Sequence, residues 1–384
     1  MEGCPTASGR PSFFIWACGT IHSMRRHVDY PFLAITLILL AAGLFVISSA
    51  SVVISQKNFD TPYYYLLRQG LSALVGLGAL FVTQAIPYKF WKKIALPLLA
   101  LSLLLVASVF FTQFGFTAGG ASRWLHFGPV SVQPSEILKL SLILYLASWL
   151  DKKKGQTKGF TTAFVPFLVV VGVVAALLLL QPDIGTLVVT GLSAVILYFL
   201  GGGRISQLLA FAVLAAAGLV AVVQAAPYRL ARFLVFFNRD LDPQGIGYHI
   251  SQALIAIGSG GFAGRGFGQS IQKFSYLPEP IGDSVFAVVV EESGFLGAAA
   301  LIALFFAFFL RAVSIARSAP DFFSKLLATG MTSLIVLQAT INMAAISGLL
   351  PLTGIPLPFI SYGGTSLVVT LAMAGIILNI SKKS

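Results

Sequence analysis

Apolar runs of about 20 residues recur along almost the whole chain, and they constrain its fold more than any other feature. A helix of that length crosses the hydrocarbon core of a lipid bilayer. Only 10% of the residues are charged, whereas soluble domains carry about 25%. A water-soluble fold would therefore leave too much apolar surface uncovered. The sequence predicts one all-α integral membrane domain over residues 24–384.

Ten transmembrane helices are predicted, near residues 32–54, 66–86, 93–112, 132–150, 162–181, 184–200, 205–226, 284–310, 325–347 and 360–380. The connections are short except for a large extracellular loop at about 227–283, between helices 7 and 8. Residues 1–23 contain an apolar stretch that is too short to span a membrane. They are interpreted as a disordered or mis-annotated leader before Met24.

Lysine and arginine are distributed unevenly between the two sides of the predicted domain. With the N-terminus in the cytoplasm, the inner segments carry sixteen of these residues and the outer segments carry eight. Such an excess is typical of the cytoplasmic side. The pattern predicts that both termini are cytoplasmic. It also explains the net charge of +12 without a nucleic-acid partner, for which no recognition motif is found.

Several polar residues lie where hydrocarbon penalises charge. Glu136 and Lys139 are three residues apart in the fourth predicted helix, so they form an internal ion pair or line a polar cavity. Arg123 lies upstream at the outer interface, where a guanidinium can bind phosphate. Asp183 joins the fifth and sixth helices. Capping of the sixth helix is its simpler explanation, and catalysis is the alternative.

Four carboxylates gather in YLPEPIGDSVFAVVVEESG, residues 276–294, at the start of the eighth predicted helix. Pro278 prevents a regular helix before residue 280. Asp283 then lies where the eighth helix should begin, either as a helix cap or, at the water edge of an apolar cavity, as a general base. Glu291 and Glu292 lie about 12–14 Å further along the helix axis, so at least one is expected to face a polar cleft.

The large outer loop contains six glycines between residues 258 and 268. No strand precedes them and no P-loop lysine follows, which argues against a nucleotide site. The glycines let the backbone approach a ligand or a helix closely, or they make the loop flexible. Arg265 and Lys273 can meet an anion there. Residues 248–257 are predicted to form a short amphipathic helix on the membrane surface.

The last outer connection, SGLLPLTGIPLPFISYGGTS, is apolar but broken by prolines that include Pro356 and Pro358. Irregular backbone at membrane depth must be covered by protein or line a wet cavity. We therefore expect a re-entrant or cavity-lining loop that extends through Ser361 and Gly363, with Asn342 nearby. Together these features predict one outward-facing groove between helices 4, 8 and 9 and the long loop.

Six blocks of this sequence resemble the SEDS family (shape, elongation, division and sporulation), which includes FtsW, RodA and SpoVE. They are SSAS (48–51), RWLHFGPVSVQPSEILK (123–139), QPDIGT (181–186), GYHISQALIAIGSGGFAGRGFGQSIQK (247–273), YLPEPIGDSVFAVVVEESGFLG (276–297) and NMAAISGLLPLTGIPLPFISYGGTS (342–366). The resemblance covers nearly everything from Val28 onwards. It implies ten transmembrane helices with a large external loop between the seventh and the eighth.

The resemblance also implies a peptidoglycan glycosyltransferase that polymerises lipid II, a disaccharide-pentapeptide on undecaprenyl pyrophosphate, with the essential aspartate at Asp283. The residues expected to bind substrate are Arg123, Glu136, Lys139, Arg265, Lys273, Glu291, Asn342 and Ser361. Those expected to be structural or to line the cavity are Asp183, Pro278, Glu279, Glu292, Pro356, Pro358 and Gly363. No cofactor is required by the sequence, although a divalent cation (Mg²⁺ or Mn²⁺) can assist departure of the pyrophosphate.

One departure from the family concerns the aspartate itself. Many members have His-Thr-Asp-Phe there, whereas this chain has Ile281-Gly282-Asp283-Ser284. The Gln-Lys before Tyr-Leu-Pro-Glu resembles FtsW, which favours a role in division over a RodA-like role in elongation. A lipid II flippase or transporter is the alternative from another class, but the charges cluster on the outer side.

The resemblance implies partners and a location as well. A class B penicillin-binding protein would supply the transpeptidase, and other divisome proteins would join it. The protein is expected in the bacterial cytoplasmic membrane, at the division septum.

Overall fold

The structure is a computed structural model and is predominantly helical. It describes residues 28–382 except for 112–114, 119–120, 129, 225–229, 231–233, 239–240, 243 and 275, so the predicted leader lies outside the described residues. The longer helices are α1 (Tyr30–Ala50), α2 (Val52–Phe59), α3 (Tyr64–Ala85), α4 (Tyr88–Phe111), α5 (Pro134–Lys152), α6 (Val165–Leu180), α7 (Ile184–Leu200), α8 (Ile205–Gln224), α9 (Ile246–Gly260), α10 (Val285–Arg317), α11 (Phe322–Ile346) and α12 (Gly364–Ser381). A π-helical turn, Phe160–Phe164, precedes α6.

The helix starts follow from capping residues in the sequence. The Asp29 and Asp183 side chains each accept a hydrogen bond from the backbone N–H three residues further on, at the starts of α1 and α7. Asp321 and Ser324 form a reciprocal capping box at the start of α11. Pro134 occupies the first turn of α5, where its missing N–H costs nothing.

Three helices form the centre of the bundle, because α5, α11 and α12 bury most of their residues. Helix α12 packs along α3, while α5 contacts α4, α7 and α11. Helix α10 packs against α1, α9 and α11. Glu136 and Lys139 of α5 and Gln338 and Asn342 of α11 are therefore buried in protein.

The protein is a multi-pass membrane protein. Among the described residues, seven helical segments are long and apolar enough to cross a bilayer, namely α1, α3, α4, the π-turn with α6, α10, α11 and α12. Helix α7 and most of α8 are apolar but shorter. Each of the ten segments predicted from the sequence overlaps a helix.

A small antiparallel sheet departs from the all-α prediction. Strands β1 (Gly115–Ala118), β2 (Ala121–Phe127) and β3 (Val130–Val132) pair in the order β1-β2-β3. The strands have four, seven and three residues, so their alternation is hard to recognise between long apolar runs. The sheet leads directly into α5 and carries Arg123.

The helix predicted over 248–257 is observed as α9, which is longer at both ends. Its buried residues include Ile250, Ala253 and Ala256, and its main neighbour is α10. The apolar face that the sequence assigned to the membrane surface therefore contacts protein.

Helix α10 is broken at Gly294, whose φ of 67° and ψ of −162° are not helical. In a continuous helix, the N–H groups of Phe295 and Leu296 would donate to the carbonyl oxygens of Glu291 and Glu292. The break removes both bonds in an apolar setting, where each polar group left without a partner costs several kcal/mol.

The segment 261–273, called here the glycine loop, replaces both lost bonds. Its Arg265 and Gly266 N–H groups donate to the carbonyl oxygens of residues 291 and 292, each over 3.0 Å. The carbonyl oxygens of Gly261 and Phe262 accept from the N–H groups of residues 295 and 296, over 2.9 and 3.2 Å. The glycine loop thereby completes the broken helix.

Two glycines allow this close approach. A Cβ on Gly264, where φ is +81°, would lie 2.2 Å from the carbonyl oxygen of Glu292. A Cβ on Gly260 would lie 2.1 Å from the carbonyl oxygen of Val290. Both distances are far inside van der Waals contact with backbone, so neither position accommodates a side chain.

We expect Gly264→Ala to destabilise the protein. A left-handed non-glycine residue costs about 1–3 kcal/mol, and the collision with Glu292 would also displace the loop. The midpoint of thermal unfolding of the purified protein in detergent should therefore fall.

Gly258→Ala is the matched control, because nothing lies within 4 Å of a Cβ at that exposed position in α9. Its unfolding midpoint should equal or slightly exceed that of the wild type. Equal midpoints for the two variants would contradict the close packing of the glycine loop against α10.

Candidate active site

Asp283 lies in an irregular segment, residues 276–284, that immediately precedes α10 and is called here the aspartate loop. The residue is partly exposed. Its carboxyl group faces a second irregular segment, residues 351–363, called here the proline loop. A Cβ on Gly354 of the proline loop would lie 3.9 Å from Asp283 Oδ2.

Three consecutive carbonyl groups hold the aspartate loop in place. The carbonyl oxygens of residues 281–283 accept, in order, from the Tyr362 N–H at 2.8 Å, the Ser361 hydroxyl at 2.6 Å and the Asn342 side-chain amide at 2.8 Å. The donors come from the proline loop and from α11. The backbone of Asp283 is therefore fixed by groups that are distant in sequence.

The proline loop is irregular and largely buried by protein, including Pro358. The Gln69 side chain of α3 holds the end of the proline loop. The Gln69 amide N–H donates to the Ser361 carbonyl oxygen at 3.1 Å, and the Gln69 side-chain oxygen accepts from the Gly363 N–H at 3.2 Å. Such bonds provide partners for backbone N–H and carbonyl groups that have no helical hydrogen bonds.

Each of the two loops contains a non-glycine residue in the left-handed region. Glu279 has φ of 47° between Pro278 and Pro280, and Phe359 has φ of 65°. Each conformation costs about 1–3 kcal/mol. Residues held in this way cluster at functional sites, where the surrounding structure enforces them.

Glu279 and His249 bring further titratable groups to Asp283. Although the Glu279 residue is solvent-accessible, its carboxyl packs against the aspartate loop, where a Cβ on Gly282 would lie 3.2 Å from Oε2. Desolvation raises the pKa of Glu279, the charge of Asp283 raises it further, and His249 lowers it. The His249 Nε2 lies 2.6 Å from the Ser284 Oγ.

Glu136 and Lys139 form a buried ion pair on α5, with 2.9 Å between Nζ and Oε1. The Lys139 ammonium also donates to Gln338 Oε1 at 2.6 Å, and the Gln338 amide donates to the Pro356 carbonyl oxygen at 2.9 Å. The network therefore links α5 through α11 to the proline loop. Gln338 lies one helical turn before Asn342, so these two α11 amides bind the proline loop and the aspartate loop.

Glu291 is fully buried and satisfied by the glycine loop. Its carboxylate accepts from the Ser270 hydroxyl at 2.5 Å and from the N–H groups of Ile271 and Gln272 at 3.0 and 3.3 Å. The Arg265 Nε lies 3.9 Å from the Glu291 Oε1, and the Arg265 side chain is 38% exposed.

Glu292 is also buried. Its Oε1 accepts from the Lys273 ammonium at 2.7 Å and from the Ser49 hydroxyl of α1 at 2.6 Å. The sequence-based expectation that Glu291 or Glu292 faces a polar cleft is therefore not met. The glycine loop folds back against α10 and supplies protein donors where a wet cleft was expected.

Arg123 and Asp183 meet at a different place, the turn between α6 and α7. The Arg123 guanidinium donates to the carbonyl oxygens of Gln181, at 3.1 Å, and Pro182. The Asp183 side chain caps α7 by accepting from the Thr186 N–H at 3.2 Å. Arg123 thus ties the small sheet to this turn.

No group of three or more histidine, cysteine, aspartate or glutamate side chains within the described part of the chain is arranged to hold a metal ion. The divalent cation considered from the sequence stays a prediction.

Residues 30–384 match the family of cell cycle proteins named after FtsW, RodA and SpoVE. The chain belongs to this family. It is 40% identical over 355 residues to the probable peptidoglycan glycosyltransferase FtsW of Geobacter metallireducens, covering 92% of this chain and 95% of that protein. It is 38% identical over 356 residues to stage V sporulation protein E of Bacillus subtilis, with coverage of 93% and 97%.

Solved structures of the FtsW, RodA and SpoVE type have the same fold. One is a chain of a peptidoglycan synthase complex solved to describe the structural coordination of polymerization and crosslinking. Its TM-score is 0.78 at 27% identity, and the alignment covers 93% of this chain and 98% of that chain. Another is the rod shape determining protein RodA of Thermus thermophilus, with a TM-score of 0.68, 27% identity and coverage of 93% and 97%.

Sequence reasoning missed several polar residues that organise the site of this family member. Gln69 and Gln338 are amides in apolar helices, which is itself a signal that they bind buried backbone. Ser49 and Ser270 gave no such signal, because small hydroxyls are common in membrane helices and loops. His249 lies on a helix with an amphipathic pattern, in which a histidine on the polar face gives no separate signal of a functional role.

We expect Lys273→Met to destabilise the protein, because it leaves the Glu292 carboxylate buried without its counter-charge. Breaking one side of a buried ion pair costs about 3–5 kcal/mol. The thermal unfolding midpoint in detergent should therefore fall clearly below that of the wild type.

Replacing both partners, in Lys273→Met/Glu292→Gln, should restore much of the lost stability, since no buried charge then remains. Lys57→Met, at an exposed position on α2, is the control and should leave the midpoint unchanged. A wild-type midpoint for Lys273→Met alone would show that the pair does not hold the glycine loop.

Proposed function

We propose that this chain is a peptidoglycan glycosyltransferase that polymerises lipid II at the outer face of the cytoplasmic membrane. One observation carries the proposal. The partly exposed Asp283 is fixed at the head of α10 by hydrogen bonds to three consecutive carbonyl groups. Relatives named as peptidoglycan glycosyltransferases, at 40% identity over most of the chain, support the reaction class. A role in division is favoured because these relatives are FtsW proteins.

Asp283 acts as the general base in this proposal. It takes the proton from the 4-hydroxyl of the incoming disaccharide as the new bond forms from that oxygen to C1 of the growing glycan. The C1–O bond to the lipid pyrophosphate breaks, and undecaprenyl pyrophosphate leaves with the bonding electron pair. Attack opposite to the leaving group converts an α-linked donor into a β-linkage.

The pyrophosphate gains negative charge as it leaves, so cations must stabilise it. Arg265 is suited to this role because 38% of its side chain is exposed. Lys139 and Lys273 are each only 3% exposed and already paired, which supports a role in holding segments together. A divalent cation such as Mg²⁺ or Mn²⁺ would supply further positive charge.

The proposed topology has ten transmembrane helices, with α7 and α8 as shorter spans and α5 as a buried one. Both termini are cytoplasmic, and the segment that includes α9, the glycine loop and the aspartate loop lies outside. The excess of lysine and arginine on the inner segments supports this orientation. The polyprenyl tail then stays in lipid while the sugar reaches Asp283 from the outer side.

The proposed partner is a class B penicillin-binding protein that supplies the transpeptidase, together with other divisome proteins at the septum. Support comes from the similarity to a chain of a peptidoglycan synthase complex.

We expect Asp283→Asn to abolish glycan synthesis. The amide keeps the shape of the carboxyl but cannot take a proton, and a general base contributes about 10²–10⁴-fold to rate. The measurement is the formation of glycan strands from lipid II by the purified full chain with its partner.

Asp60→Asn is the matched control, because Asp60 is exposed and asparagine tolerates its left-handed φ of 55°. It should polymerise at the wild-type rate. Full activity of Asp283→Asn would overturn the proposed base. Translocation of lipid II in liposomes, without glycan strands from the wild type, would instead favour a transporter.

A further inference from the structure

An imidazole from another segment of the chain reaches the start of α10. His249 lies on α9, and its Nε2 is 2.6 Å from the hydroxyl oxygen of Ser284, the residue that follows Asp283. Ser284 is fully buried, and α9 packs along α10. The contact therefore joins two packed elements, which makes the position of the imidazole well defined.

Two carboxyl groups lie in the same small region. The Glu279 carboxyl interacts electrostatically with both Asp283 and His249, and the two act in opposite directions. The Ser284 hydroxyl, at the end of the aspartate loop, thus contacts the imidazole, and the Glu279 carboxyl of the same loop interacts with it electrostatically. Helix α11 contributes the neutral amide of Asn342 to this loop.

We propose that His249 is a positioning residue of the active site, which orients Ser284 and provides the cationic counterpart of the Glu279–Asp283 pair. The inference rests on the proposed glycosyltransferase function and adds a residue to it. The segment Ile281-Gly282-Asp283-Ser284 lacks the histidine of the His-Thr-Asp-Phe pattern. In this chain, α9 supplies an imidazole to the same segment.

The physical reason lies in the repulsion between the two carboxylates. Neighbouring carboxyl groups titrate as a coupled pair, and each disfavours ionisation of the other. A protonated imidazole offsets this repulsion, so that more of the Asp283 carboxyl is ionised and able to take a proton. Histidine is the side chain whose charge ordinarily changes between about pH 5 and 8, so the acid side of the rate profile is where the contribution of the imidazole is tested.

His249→Gln separates this role from a purely structural one. The glutamine amide can still hydrogen-bond the Ser284 hydroxyl, but it carries no charge at any pH. The acid limb of the kcat profile reports protonation of the base. Loss of a nearby positive charge should move that limb to higher pH by about one unit, with KM unchanged.

The measurement is lipid II polymerisation by the full chain with its partner, across the acid-to-alkaline range. His249→Gln should therefore be several-fold slower than the wild type on the acid side and recover towards its rate on the alkaline side. His126→Gln, the same change at an exposed histidine of β2, should keep the wild-type profile. An unshifted profile for His249→Gln, with or without a uniform loss of rate, would overturn the inference.

Glu279→Gln provides a second, independent arm. Removing the neighbouring negative charge should move the acid limb to lower pH, and it should reverse the shift in a His249→Gln background. If His249→Gln does not fold, the Glu279→Gln profile decides, and an unshifted limb overturns the electrostatic pairing. Absence of polymerisation by the wild type would overturn the proposed function itself, whereas an active wild type with unshifted variants overturns this inference alone.

Discussion

At Gly294 the backbone of α10 loses two helical hydrogen bonds, and the glycine loop makes four backbone hydrogen bonds to the donors and acceptors that are left. In an apolar environment this exchange is what allows a helix to end and restart without an unsatisfied amide or carbonyl. It divides α10 into a short, buried first segment that follows Asp283 and Ser284, and a longer second segment that packs one face against the bundle. The first segment is bound to the glycine loop by the backbone and by the side chains of Glu291 and Glu292.

The aspartate loop depends on this arrangement from one side and on the proline loop from the other. Neither loop is regular, and each contains a left-handed residue that would relax if it were free. The restraint comes from amides of helices that sequence separates widely: Gln69 on α3, and Gln338 and Asn342 on α11. Lys139 extends the same restraint to α5. A rigid scaffold of this kind holds the partly exposed Asp283 in one position, with its Oδ1 buried among protein groups.

The sequence predicted the helices well, because long apolar runs have few alternative folds and because aspartates and prolines mark several helix starts. It did not predict the small sheet, whose strands are too short to give a periodic signal. Asp283 as the catalytic base stays a prediction, which rests on its position after two prolines and on the family resemblance. Glu291 and Lys273 were expected to meet substrate, since nothing in the sequence shows that the glycine loop folds back against α10. His249 needed the packing of α9 on α10 to be recognised.

The order of the chain has a consequence for biosynthesis. Within the part of the chain that the structure describes, every side-chain partner of the buried Glu291 and Glu292 precedes them in sequence: Ser49 in α1, and Arg265, Ser270 and Lys273 in the glycine loop. A charged side chain in the middle of a membrane helix opposes insertion by about 2.5–3.5 kcal/mol. Because the ribosome delivers the neutralising groups first, they have already been synthesised when the nascent α10 leaves the translocon. Lys139, whose partner Gln338 is made much later, instead carries its own counter-ion one turn away in Glu136.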